Sequence, residues 1–384
     1  MRGKRHLFFA GSLCPNFSRQ GTVYFCPTLV YIVQTIRGGN RVRKSAHSIM
    51  GIWILLLLAG CSGMLKKEEI DPPRTVTYEE DLNSKGENSK EGNASGGVTT
   101  ELYLIDKYGY VVPRTFVLPG TESVAKQALE YLVAGGPVTE ILPDDFRAVL
   151  PEGTEMTVDI QDGIATIDFS KEFAEYAPED ELKIVQAVTW TVTQFDTVNG
   201  VKFKMNGSEL TEMPVNKTPI PIPLTRSSGI NWDYSSVPDI TNTRPVVLYY
   251  MAQTNSENYF VPVTKRISNK EENIAGAVIR ELVRGPEPWT ELFTLLMPDV
   301  QLVEEPELKD GIVRVNFNEN ILSGYGERVV DENVLKSIAL SLTELDGVEG
   351  IAVEVNGKSD IFTREGADLS EPVTRPKPVN VSGY

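Results

Sequence analysis

Asp162-Gly163-Ile164-Ala165-Thr166-Ile167-Asp168-Phe169 returns 148 residues later as Asp310-Gly311-Ile312-Val313-Arg314-Val315-Asn316-Phe317. In both stretches an Asp-Gly pair, which tolerates positive φ, precedes an apolar run, the signature of a tight hairpin. The likeness extends in both directions. Leu102-Tyr103-Leu104 matches Leu248-Tyr249-Tyr250, and Leu132-Val133-Ala134-Gly135-Gly136-Pro137 matches Leu282-Val283-Arg284-Gly285-Pro286. Gly200-Val201 through Asn206-Gly207 matches Gly350-Ile351 through Asn356-Gly357. The offset stays between 146 and 150 throughout. A period of that size denotes two whole domains rather than the units of a solenoid.

Each copy predicts the same elements. A strand opens it (102–105; 246–251), and a second follows (111–118; 260–267). Val124, Ala128, Leu129, Leu132 and Val133 fall at helical spacing, as do Ile274, Val278, Ile279, Leu282 and Val283. Gly135-Gly136-Pro137 and Gly285-Pro286 end these helices, Gly at the cap and Pro beyond it. The hairpin comes next, with Val158 and Ile160 ahead of the first turn. A second helix carries Ile184, Val185, Val188 and Val192, or Val334, Leu335, Ile338 and Leu342. Alternating Val201/Phe203/Met205 and Ile351/Val353/Val355 close the copies as strands. The predicted fold class is α+β: two tandem copies of a small domain, each with two helices packed on a mostly antiparallel sheet. The boundaries are 99–213 and 246–365. Residues 214–245, with six prolines, read as an extended linker whose apolar residues pack in part on a domain. Residues 366–384 read as a flexible tail.

The N-terminal part obeys different chemistry. Residues 1–61 hold eight basic residues and no acid, whereas the remaining 29 basic and 53 acidic residues leave the rest at −24. Arg41, Arg43 and Lys44 precede an uncharged apolar run over 49–59. About eleven residues are too few to span a bilayer, which takes roughly 20, but they fit the h-region of a signal peptide. Leu58-Ala59-Gly60-Cys61 follows and resembles the bacterial lipobox, which implies cleavage before Cys61 and diacylglycerol on its thiol. More than one acyl chain holds a protein to a membrane durably, where a single chain does not. Residues 1–61 are therefore read as an N-terminal extension plus lipoprotein signal peptide. Translation starting near Val42 accounts for the surplus ahead of the signal; a true N-terminal membrane segment is the alternative. Residues 62–98, dense in Glu, Lys, Asn, Ser and Gly, are expected to form a disordered acidic tether.

Cleavage at Cys61 removes Cys14, Cys26, His6 and His47, so the mature chain has no histidine and no free thiol. Ser-His-Asp and Cys-His catalysis are excluded, as are zinc sites that need His or Cys. No phosphate loop or dinucleotide fingerprint is present, no metal or cofactor is expected, and a net charge of −24 repels nucleic acid. Carboxylate chemistry remains formally open. Asp159 and Asp168 lie on neighbouring hairpin strands, yet Asn316 replaces Asp168 in the second copy and cannot act as an acid or base. The acids at 172, 175 and 179–181 lack the ligand spacing of a calcium loop and suit a helix start instead. No catalytic residue is assigned. Trp289, Phe293 and Leu296 form a candidate partner patch in copy two, where copy one has the more polar Asp144, Asp145 and Phe146.

The lipobox, an acidic tether containing Glu-Ile-Asp-Pro-Pro at 69–73, and the matched motifs at 132–137/162–169 and 282–286/310–317 together resemble the GerM-type sporulation and germination lipoproteins. Each copy is similar to a GerMN domain. The resemblance implies a ring-building-motif-like fold and a non-enzymatic scaffold on the outer face of the cytoplasmic membrane. In sporulating cells that face is the mother-cell membrane looking into the intermembrane space. It further implies protein partners in a transenvelope complex of the SpoIIIA–SpoIIQ type. A peptidoglycan-binding module and a carboxylate-only cell-wall hydrolase are the alternatives.

Overall fold

In the computed structural model, which describes residues 97–235, 241–254, 257–324 and 327–381, each copy opens on a long hairpin. In copy one β1 (Val98–Asp106) pairs antiparallel with β2 (Val111–Leu118), from Val98↔Leu118 to Ile105↔Val111. Next come α1 (Val124–Glu130), the short β3 (Phe146–Arg147), β4 (Met156–Gln161), β5 (Ile164–Phe169), α2 (Glu181–Val192), β6 (Gly200–Met205) and β7 (Ser208–Glu209). Copy two repeats the order: β8 (Thr243–Gln253), β9 (Asn258–Ser268), α3 (Ile274–Arg284), β10 (Leu292–Phe293), β11 (Glu307–Lys309) and β12 (Ile312–Phe317). It continues with β13 (Val329–Val330), α4 (Glu332–Leu342), β14 (Gly350–Val355), β15 (Phe362–Thr363) and β16 (Val373–Thr374). Residues 1–96, with the signal peptide, Leu58, Ala59, Gly60, Cys61 and nearly all of the tether, lie outside the described residues.

Both Asp-Gly turns form as the sequence predicts. Asp162 and Gly163 have φ of 50° and 78°, and Asp310 and Gly311 have 50° and 79°. Positive φ at both central residues is the twist that joins right-handed strands in two residues.

The α+β class with mostly antiparallel pairing holds, with two sheets in each copy where one was expected. Each copy carries two sheets, ordered β2-β1-β3 with β4-β5-β6-β7, and β10-β8-β9 with β11-β12-β14-β16, beside the two-stranded β13-β15. The second sheet is mixed, because β5 runs parallel to β6 and β12 parallel to β14. The cause is topological: a helix lies between those strands in the chain, and a strand–helix–strand crossover returns the second strand parallel.

The helices also protect a sheet edge. Thr191 of α2 accepts the Tyr103 N–H at 3.1 Å, and Gln194 takes both the N–H and the C=O of Glu101 at 2.8 and 2.6 Å. In copy two Ser341 accepts the Tyr249 N–H at 2.9 Å and Ser337 donates to its carbonyl at 2.7 Å. Small hydroxyls inside otherwise apolar helices thus satisfy strand groups that β3 and β10 are too short to reach.

The tail, expected to be flexible, packs against the copies, and so does the linker. Residues 366–381 are held in place: β16 pairs with β14, and Val379 and Asn380 are buried. The linker also packs, with Ile220, Leu224 and Ile230 buried and Leu224 bridging Val201. Each segment then crosses to the opposite copy. Asn231 accepts the Val111 N–H at 2.8 Å and donates to the carbonyls of Val111 and Pro262 at 2.7 and 2.8 Å. Asn380 accepts the Phe260 N–H at 2.8 Å and donates to the carbonyls of Phe260 and Pro113 at 2.9 and 2.8 Å. Val111 and Phe260, Pro113 and Pro262, and Asn231 and Asn380 are all 149 residues apart. The reciprocity is that of an isologous interface, made here within one chain. Pro113 and Pro262 have no N–H to give a neighbouring strand, and an asparagine amide serves the nearby carbonyls instead.

Candidate interaction surface

Asp159 is exposed and accepts the Gln161 side-chain amide at 2.9 Å, whereas Asp168, Asp180 and Glu181 hold parts of the fold together. Asp168 accepts the Gly207 N–H at 3.0 Å and fixes the turn after β6; Asn316 accepts the Gly357 N–H at 3.0 Å in copy two. An acid and its amide therefore do the same work, which is acceptor work. Glu181 receives the N–H groups of Val215, Asn216 and Thr218 at 3.1, 2.7 and 3.1 Å and the Tyr176 hydroxyl at 2.6 Å. Burial pushes its carboxyl up, but these donors outweigh burial and hold it down at about 2. The residue anchors the start of the linker to α2. Asp180 pairs with Arg147 at 2.7 Å and Lys183 at 2.9 Å. Among the described residues no group of three or more acids, histidines or cysteines is placed to hold a metal ion.

Two arginines meet one glutamate at the junction of the copies. Glu344, just past α4, accepts from Arg375 at 2.6 Å, from Arg226 at 3.3 Å and from the Tyr249 hydroxyl at 2.8 Å. Burial raises the Glu344 carboxyl, and the guanidiniums of Arg375 and Arg226 more than reverse it, so the group stays charged. Arg226 also reaches Thr193 at 3.2 Å as Arg375 reaches Thr343 at 2.9 Å. These two arginines are again 149 residues apart. Sequence reasoning missed them, and Asn231 and Asn380 with them. The repeat comparison stopped at the domain edges, while the same offset continues through the Pro-rich segments.

The candidate patch divides. Trp289 is 74% exposed and Phe293 38%, but Leu296 is 3% exposed and belongs to the core. Leu296 turns inward because the segment after β10 lies along the domain, and an apolar loop residue gives no sequence cue to its direction. Trp289 instead finds aromatic company elsewhere. It lines a groove of about 280 Å³ with Tyr110 of copy one and Trp232 and Tyr234 of the linker. Trp232 and Tyr234 stack at 5.3 Å with 8° between their planes, and Tyr234 is 61% exposed. Asp233 and Glu287 line the same groove. Asp233 is held by Thr264, whose carbonyl accepts its N–H at 2.9 Å. The groove exists because the strap places linker residues against both copies.

The family described as Sporulation and spore germination, Germane, matches this chain twice, at residues 101–211 and 247–360. The spore germination protein GerM of Bacillus subtilis (strain 168) is 48% identical over 365 residues, covering 89% of this chain and 100% of that protein. Lipoprotein LpqB of Cutibacterium acnes is 29% identical over 142 residues, which cover 33% of this chain and 24% of LpqB. The solved tandem GerMN domains of GerM from Bacillus subtilis superpose with a TM-score of 0.71 at 51% identity, covering 75% of this chain and all of that one. With both copies matched and a relative similar over nearly its whole length, the chain belongs to the Germane family of sporulation and spore-germination proteins, with two tandem GerMN domains.

Proposed function

We propose that this sporulation and germination protein is a non-enzymatic scaffold, held by lipid on Cys61 to the outer face of the cytoplasmic membrane, where it supports assembly of a transenvelope complex of the SpoIIIA–SpoIIQ type. The observation that carries this reading is the reciprocal strapping. Two domains joined through Asn231, the buried Asn380 and a shared glutamate present one body to a partner, which lowers the ordering cost of binding. On the surface of that body Trp289 and Tyr234 face solvent. Single exposed apolar residues are ordinary, but large aromatics clustered on one face are what interaction sites use.

Site-specific crosslinking in sporulating cells tests the reading. Photocrosslinkers at Trp289 and Phe293 should capture a protein of the complex, and Cys61→Ala should release the chain from the membrane fraction and abolish capture. Membrane retention of Cys61→Ala, or crosslinks to lipid and cell wall alone, would overturn it. The aromatic groove favours one second reading, a peptidoglycan-binding module. Sedimentation of the purified mature chain with insoluble peptidoglycan, lost in Trp289→Ala, would establish that reading instead.

A further inference from the structure

We propose that the groove walled by Tyr110, Trp232, Tyr234 and Trp289 receives a lysine or arginine side chain from a basic segment of a protein partner; this deepens the scaffold reading and rests on it. Four aromatic rings and two carboxylates, Asp233 and Glu287, line one small space. Ring faces carry a negative quadrupole, so rings and carboxylates together favour a cation over either an apolar anchor or an anion. At about 280 Å³ the groove lies just below the usual range for whole ligands, roughly 300–1,000 Å³, and suits one side chain.

The protein already seats its own cations in this manner. Arg226 lies 4.5 Å over Trp190, Arg375 lies 5.5 Å over Tyr249, and Arg266 lies 5.8 Å over Trp232 itself. Arg266 thus occupies the inner aromatic partner, whereas Tyr234, stacked on it, is 61% exposed. Of the two carboxylates, Asp233 is engaged by Lys265 at 3.4 Å and by the N–H of Ser235 at 2.9 Å. Ser235 Oγ lies against an oxygen of each carboxylate but has one proton to share between them, and the second oxygen of Glu287 accepts from no described residue. Charge complementarity points the same way. The chain beyond residue 61 carries 29 basic and 53 acidic residues, and such a field steers basic partners in and anionic ones away. A neutral sugar would gain nothing from it.

The test uses the full mature lipoprotein in detergent, read by tryptophan fluorescence, since Trp232 and Trp289 line the groove and Trp190 is buried. Tetra-arginine is the probe, with the tetramer of N-acetylglucosamine as the competing ligand class. A saturable change with tetra-arginine is expected, weakening several-fold between low and physiological salt. Tyr234→Ala keeps every charge and should weaken binding about two- to fivefold, with a similar loss in Trp289→Ala. Glu287→Gln should weaken binding while preserving the aromatic walls. Tetra-arginine binding that is indifferent to Tyr234→Ala and Trp289→Ala would overturn the proposal, as would groove-dependent binding of the saccharide without the peptide. Intact in-cell crosslinks alongside either result would confine the failure to the cation and leave the scaffold standing.

Discussion

Copy one and copy two match wherever a residue serves the fold and part company at their surfaces and their charge. Asp168 and Asn316 differ chemically but hold the same glycine N–H. Thr191 and Ser341 both satisfy the N–H of a buried tyrosine on the first strand. Gln194 and Glu344 mark a real divergence. The neutral residue binds the Glu101 backbone within its own copy, whereas the charged one gathers Arg226 from the linker and Arg375 from the tail. Copy two therefore holds the electrostatic joint between the domains, and it also supplies Trp289. Where repeats agree they report packing; where they disagree they report what the pair does as a pair.

The largest effect should follow from breaking the charged joint. Glu344→Ala leaves two guanidiniums without their acceptor in a nearly buried site, and should destabilise the chain by about 3–5 kcal/mol in denaturant unfolding. Gln194→Ala, at the matching place, removes only neutral hydrogen bonds and should cost about 1–3 kcal/mol. Equal losses would break the contrast between the copies.

The two straps offer a sharper comparison. Asn231→Ala and Asn380→Ala each delete one acceptor and two donors, two of these bonds made to one copy and one to the other, so each should cost about 2–3 kcal/mol. Near equality is expected from the reciprocity. A cost confined to Asn231 would make the tail dispensable.

Acid should weaken both linker and joint. The folded Glu181 carboxyl titrates at about 2 against an ordinary 4.5, and Glu344 is also lowered. A lowered folded pKa contributes stability that is complete above the unfolded value and is lost as pH falls towards the folded one. Stability should thus be level above about pH 5 on their account and decline towards pH 2, with a shallower decline in Glu181→Gln. Smallest of all is Asp168→Asn, which writes copy two's residue into copy one and should change stability by less than about 0.5 kcal/mol.

Much of this was legible in the sequence because local rules and the repeat agreed. Apolar spacing placed α2 and α4, and the Asp-Gly pairs fixed both turns. No local signal carries the parallel pairing of β5 with β6, which follows from the crossover through α2. The straps were missed for another reason. Proline-rich composition signals extension but says nothing of which strand groups an extended segment meets, and only the shared offset of Asn231 and Asn380 marks them as equivalent. Leu296 and Trp289 look alike in sequence, and only the path of the chain after β10 separates core from surface.

Joined by both straps and the charged joint, the two domains should behave as one body. Calorimetric unfolding of the mature chain tests it most directly. One transition in which the calorimetric and van't Hoff enthalpies agree is expected, with a lower midpoint, still single, for Asn380→Ala. Two separate transitions in the unaltered chain, each assignable to one copy, would contradict it.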